Sequence, residues 1–281
     1  MLIKKLLSGR EFDRVVAGKG RSCAQFKGGE AMVKVGVIGG SGLDDPDILR
    51  DSQMVEVETI YGEPSSPLTV GQISGVDTVI LARHGYRHQY SPTQVNNRAN
   101  IQALKDMGVS HIIATTACGS LREDIDRGHL VILDQFIDFT RFRKNSFYDS
   151  FEDGAHHTGM AHPFDGDLRS RLYAAAVEMG LDVHPSGCVV TIEGPRFSTV
   201  AESKMMRIWG ADVINMSTAP EAMLANEAGI PYSGVAMSTD YDCWKEDEVP
   251  VSWDEILEVF QRNADNVKRL LVKVIATFAR E

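Results

Sequence analysis

The stretch VKVGVIGG (33–40) sets the frame for the whole chain. So short and apolar a run suits a strand covered on both faces, and the closing glycines turn the backbone sharply. A strand of that kind needs helices above and below it. The rest of the chain supplies the alternation, with further strand candidates at 67–73, 78–85, 111–119, 130–138, 187–192, 212–217 and 232–239. Ser91 and Pro92 open a helix, as N-cap and first helical residue, which passes Ile101 and Leu104 and stops at Gly108. A second helix covers roughly 167–180. Capping-box pairs Thr199/Glu202, Thr218/Glu221 and Ser252/Glu255 mark three more. The last of these has one apolar face: Ile256, Leu257, Phe260, Val267, Leu270, Leu271 and Val274. The pattern predicts an α/β fold, a single doubly wound domain over 32–281 with a mixed, mostly parallel sheet flanked by helices. Segment 139–166 lacks periodicity and reads as a long loop of the functional kind.

Composition narrows the function classes. The chain has 281 residues, 43% hydrophobic and 24% charged, with a net charge of -10. That is globular, and too acidic for nonspecific nucleic-acid binding. No apolar run approaches the roughly 20 residues of a membrane helix. Cys23, Cys118, Cys188 and Cys243 are far apart, without a CxxC pair, and read as free thiols of a reducing compartment. Residues 1–31 hold seven Lys/Arg against three acids and form a basic N-terminal extension, leaving about -14 on the remainder. The extension lacks the apolar core of a secretory signal, while a basic organelle presequence is weakened by its acids and few serines. Met32 offers an alternative start just before the first strand.

In open α/β sheets, ligands sit beyond the carboxyl ends of strands. The first strand delivers GGSG (39–42), whose backbone N–H groups and Ser41 hydroxyl suit an anion. It fits neither GxGxxG nor GxSxG, since position 43 is Leu. The strand ending at Arg83-His84-Gly85 delivers a guanidinium, the natural clamp for phosphate. His84 and His88 have metal-pair spacing, but Gly85 intervenes and no HExxH acid accompanies them, which favours structural histidines. Thr115-Thr116-Ala117-Cys118-Gly119 adds small hydroxyls beside a glycine. Cys118 has no assignable base partner and reads as a packed thiol. Asn215-Met216-Ser217 has sequon form, yet it ends an apolar strand. The run 232–239 then ends in Asp240-Tyr241-Asp242, with Trp244 beyond. Two carboxyls in apolar and aromatic surroundings predict a raised pKa for one of them. An anion subsite at one pole and an acid pair at the other bracket a substrate whose leaving group needs a proton.

These stretches together resemble one family. VGVIGGSGLDD (35–45), LARHG (81–85), TTACGSLRE (115–123), DQFIDFT (134–140), TIEGPRFST (191–199), WGADVINMS (209–217) and TDYDCWKEDE (239–248) are similar, in the same order, to the 5'-methylthioadenosine phosphorylases, in the trimeric branch of the purine nucleoside phosphorylases. The resemblance implies a nucleoside phosphorylase-like fold and phosphorolysis of 5'-methylthioadenosine to adenine and 5-methylthioribose 1-phosphate, in purine and methionine salvage. It implies no metal or organic cofactor, phosphate as co-substrate, and a homotrimer in the cytoplasm, with the nucleus also compatible. By motif match, phosphate falls to Ser41, Arg83, His84, Thr116, Ala117 and Ser217. The family often has Thr where Ser41 and Ser217 stand, and both keep the hydroxyl. The substrate falls to Phe197, Ser198, Met216, Trp253 and Ile256, with His157 reaching a neighbouring subunit's site. Asp240 is the general acid at purine N7, and Asp242 its partner and reader of the 6-amino group. Trp253 departs from the small apolar residue usual there; it either narrows the 5' pocket, stacks on the methylthio group, or turns into helix packing.

Three alternatives stay open on sequence. A broader or 6-oxopurine nucleoside phosphorylase differs at the base-edge acid pair. A hydrolytic nucleosidase differs in phosphate dependence. A non-catalytic nucleotide-binding module leaves Arg83 and the aspartates unexplained.

Overall fold

The computed structural model describes residues 13–15, 33–39, 48–152, 154–246 and 253–280, except for the side chains of 13–15, 253–262 and 280. Ser41, the Ser252/Glu255 capping box, the side chains of Trp253 and Ile256, and nearly all of the basic extension lie outside the described residues.

In chain order the strands and helices are β1 (Asp13–Val15), β2 (Lys34–Gly39), β3 (Arg50–Val57), β4 (Leu68–Ile73), β5 (Val76–Ala82), α1 (Asn97–Asp106), β6 (His111–Ser120), β7 (Leu130–Ile132), β8 (Gln135–Phe139), α2 (Gly166–Glu178), β9 (Val183–His184), β10 (Cys188–Ile192), α3 (Val200–Ile208), β11 (Val213–Asn215), α4 (Thr218–Glu227), β12 (Tyr232–Tyr241) and α5 (Trp253–Ile275). The sheet runs β1-β3-β4-β5-β2-β6-β11-β10-β8, while β12 branches from β6 and leads through β7 to β9. The pairs β2–β5, β2–β6, β6–β12, β8–β10, β10–β11, β7–β9 and β1–β3 are parallel, and β3–β4, β4–β5, β6–β11 and β7–β12 are antiparallel. The sheet is therefore mixed and mostly parallel.

Strand alternation divides the core between two faces. Val35, Val37, Ile113, Val235 and Met237 face one layer with Leu168 and Leu172 of α2 and Val267, Leu270, Leu271 and Val274 of α5. Ile38, Ile112, Ala114 and Ala236 face the opposite layer with Ile101 and Leu104 of α1 and Ala222 and Leu224 of α4. At Gly36 the sheet comes so close to the second layer that an added Cβ would sit 2.9 Å from Val109 Cγ1.

Several local expectations need correction. Ser91 starts only a 3-10 turn over Pro92–Gln94; the α-helix begins after Asn96, whose side chain accepts from Ala99 N. The 130–138 run breaks into β7 and β8, and the two strands join different partners, β12 and β10. Strand β3, between β1 and β4, was not anticipated, because its largely exposed side chains leave it polar and without an apolar run. Thr199 and Glu202 do form a capping box. Thr218 and Glu221 do not: α4 already starts at Thr218 behind Ser217, and Glu221 is engaged by Arg83 instead.

Candidate active site

A cavity of about 550 Å³ opens along the carboxyl ends of β5, β6 and β12. Arg83, His84, Thr116, Ala117, Phe197, Ser198, Met216, Ser217, Asp240 and Asp242 all line it, so most of the sequence-derived candidates meet in one place. Strands β2 and β6 lie between β5 and β12. At about 4.8 Å per strand, the arginine and aspartate poles stand about 14 Å apart, which suits a nucleoside with an anion at one end.

The arginine pole starts where β5 ends. Arg83 is only 2% exposed, and its Nε and Nη2 donate to Glu221 at 2.5 and 3.0 Å while Nη1 donates to Thr115 O at 2.9 Å. Burial opposes its charge, but Glu221 more than compensates and keeps the guanidinium firmly protonated. Next to it, His84 Nδ1 lies 2.9 Å from Tyr90 O. A carbonyl only accepts, so Nδ1 carries the proton and Nε2 is left as an acceptor. Burial first, then Arg83, pushes the His84 pKa down to about 4, leaving the ring neutral at physiological pH. His84 and His88 lie ring against ring at 4.5 Å. Among the described residues no three His, Cys, Asp or Glu side chains form a metal-holding group.

Antiparallel pairing of β11 against the end of β6 carries the chain back toward Thr116. Ser217 Oγ thereby comes within 3.4 Å of Thr116 Oγ1. Asn215 organises this cluster. Its Nδ2 donates to Thr116 Oγ1 and Thr218 Oγ1 at 3.2 and 2.5 Å, and its Oδ1 accepts from Thr191 Oγ1 at 2.8 Å. Buried and bonded in this way, the sequon asparagine serves the site rather than the surface.

The aspartate pole lies at the end of β12. The β12–β6 register slips between Ser238 and Asp240, leaving Thr239 as the extra residue of a bulge. Bulges re-aim side chains beside active sites. Here Asp240 and Asp242 both approach Gly119: an added Cβ there would lie 3.6 Å from Asp240 Oδ2 and 3.5 Å from Asp242 Cβ. Burial first, and the neighbouring Asp242 charge as well, raise the Asp240 pKa to about 6, although Thr239 Oγ1 donates to its carboxylate at 2.7 Å. Asp242 is 8% exposed, and Ser198 Oγ donates to its two oxygens at 2.8 and 2.6 Å. The aromatic neighbours expected around the pair turn elsewhere. Tyr241 OH donates to Glu123 O, while Trp244 Nε1 donates to Ser120 O under Arg207, and neither ring lines the cavity. Alternation along the strand explains this, since Tyr241 must point opposite to its neighbours.

Two candidates stand apart. Phe197 is at the cavity but 59% exposed. His157 does not line the cavity; it is an exposed residue whose ring meets Phe151 edge-on at 5.4 Å. Sequence reading missed Glu221 and Glu193. Glu193 accepts from Thr93 Oγ1, Arg141 N, Phe142 N and Arg143 Nε, and so ties the 140–165 loop to the segment carrying Phe197 and Ser198. Four hydrogen bonds outweigh burial and hold its pKa at about 2.

A cavity with hydroxyl and guanidinium donors at one pole and a protonatable carboxyl at the other, on this sheet, is the arrangement of a phosphorylase, and residues 34–276 match the phosphorylase superfamily model. S-methyl-5'-thioadenosine phosphorylase from Xenopus tropicalis is 53% identical over 255 residues, covering 89% of this chain and 91% of that relative. The Danio rerio enzyme of the same name is 52% identical over 246 residues, 86% and 88% of the two chains. Methylthioadenosine phosphorylase from Schistosoma mansoni in complex with adenine superimposes with a TM-score of 0.84 at 42% identity, over 89% and 93% of the chains. A variant of the Schistosoma mansoni adenosine/methylthioadenosine phosphorylase in complex with methylthioadenosine gives 0.82 at 42% identity, over 89% and 92%. The chain belongs to the S-methyl-5'-thioadenosine phosphorylase family of that superfamily.

Proposed function

We propose that this chain catalyses phosphorolysis of 5'-methylthioadenosine to adenine and 5-methylthioribose 1-phosphate. The observation that carries the reading is the division of labour between the two aspartates: the Asp240 pKa is raised to about 6, within reach of neutral pH, while Ser198 fixes Asp242. Adenine leaves poorly as an anion. Asp240 gives its proton to N7 as the glycosidic bond breaks, a contribution of roughly 10²–10⁴ in rate. Asp242 accepts from the 6-amino group, and a 6-oxopurine would meet lone pairs there instead, which favours adenine over hypoxanthine.

Phosphate enters at the Arg83, His84, Thr116, Ala117 and Ser217 pole, joined by Ser41, and stabilises the ribosyl cation that it attacks. A phosphate oxygen bonds to C1' as adenine departs. The proton that hydrogen phosphate loses on forming the ester balances the one that adenine takes from Asp240. Met216 and Phe197 flank the sugar and base, and Trp253 and Ile256 the 5' substituent. No metal or organic cofactor is required by this scheme. The functional unit is a homotrimer, in which a subunit contact would cover exposed apolar side chains such as Phe142, Phe197, Ile208 and Trp209, 75%, 59%, 85% and 48% exposed here. His157 in that assembly reaches a neighbour's cavity. The protein works in the cytoplasm, with access to the nucleus.

Adenine release from methylthioadenosine, measured with and without phosphate and beside inosine, tests the reading. Strict phosphate dependence and preference for methylthioadenosine are expected. Phosphate-independent release would instead indicate a nucleosidase, and preference for inosine a 6-oxopurine enzyme.

A further inference from the structure

Arg83 does not approach the cavity as a free side chain. Its counter-ion, Glu221, is fully buried in the first turn of α4, and Tyr232, 1% exposed at the start of β12, donates its hydroxyl to Glu221 Oε2 at 3.0 Å. A guanidinium has five N–H donors in a fixed plane. Glu221 takes Nε–H and one Nη2–H, and Thr115 O takes one Nη1–H. One N–H remains on each terminal nitrogen, available to an anion in the cavity that Arg83 lines. Glu221 also sits four residues after Ser217, the N-cap of α4. It therefore links the β5 arginine and the α4 hydroxyl into one unit.

We propose that Glu221, braced by Tyr232, is a positioning residue for phosphate: it sets the plane of Arg83 so that the free fork faces the anion alongside Ser217. The inference rests on the phosphorylase reading above. It opposes the simpler electrostatic picture, in which a carboxylate beside Arg83 merely weakens anion binding. The two pictures predict opposite signs when the charge is removed. With Glu221→Gln, an amide N–H replaces one acceptor and faces the guanidinium donors, so the plane is lost.

Steady-state KM values for phosphate and methylthioadenosine, with direct adenine titration, separate the cases. In Glu221→Gln the phosphate KM is expected to rise about tenfold or more. In Tyr232→Phe it rises about threefold. Adenine affinity stays within about twofold in both, since neither residue touches the aspartate pole. An unchanged or lowered phosphate KM in Glu221→Gln overturns the proposal, as does an equal loss of phosphate and adenine binding, which marks a merely structural role. Should Glu221→Gln fail to fold, Tyr232→Phe decides: a phosphate KM equal to wild type sinks the idea. A wild-type enzyme indifferent to phosphate would instead refute the phosphorylase reading itself.

Discussion

Asp240 is held where its ionised form is costly. Its folded pKa of about 6 lies above the ordinary 3.8. The folded state thus favours the proton, and the associated stability is present below about pH 4 and lost as pH rises through about 6. Replacing Asp240 by Asn removes the penalty. The variant should be more stable than wild type at pH 7.5, by on the order of 2 to 3 kcal/mol. Thermal unfolding across pH checks this: the gain should vanish below about pH 4, and a constant difference at all pH values would contradict it. The same substitution should lower kcat by roughly 10²–10⁴. Wild-type kcat/KM should fall as pH climbs above about 6, and the variant should lack that dependence. Ser198→Ala leaves Asp242 without its hydroxyl donor. The expected result is a methylthioadenosine KM about three- to tenfold higher, with little change for phosphate.

At the scale of elements, α5 and the 140–165 loop make contrasting predictions. Leu271 is fully buried between α5 and the sheet. Truncation to Ala should cost about 2–5 kcal/mol in urea unfolding without altering KM for either substrate. Glu193 belongs to no core. Its carboxylate, held at about pKa 2 by the Arg141, Thr93, Arg143 and Phe142 donors, pins a loop whose described residues form no helix or strand. Glu193→Gln should leave global stability nearly unchanged but speed proteolytic cleavage within 140–165 and raise the methylthioadenosine KM. Limited proteolysis followed by mass analysis reads this, and cleavage at the wild-type rate would contradict it.

For the whole molecule, the proposed trimer has exposed apolar side chains to cover, at Phe142, Phe197, Ile208 and Trp209. Light scattering should give the mass of a trimer at micromolar concentration. Trp209→Glu should dissociate it and lower activity, because Phe197 at the cavity mouth would lose its cover. A fully active monomer would contradict the shared-site assembly.

Much of this was legible in the residues alone. VKVGVIGG (33–40) carries its burial in its composition, and the alternation Val35/Val37 against Ile38 maps onto the two helical layers. The strand-end positions of Arg83 and Asp240 follow from the same periodicity, since a run of apolar side chains must end where polar ones begin. The pairing of Arg83 with Glu221, 138 residues away, did not. Local spacing assigned Glu221 to a helix cap, because a capping box spans only three residues of chain, whereas a buried guanidinium recruits whichever carboxylate the sheet brings alongside. The proton on Asp240 has the same origin. The sequence shows two neighbouring acids, but the raised pKa of Asp240 depends on the bulge at Thr239 and on strand β6 beside it, and those are set by packing between distant segments.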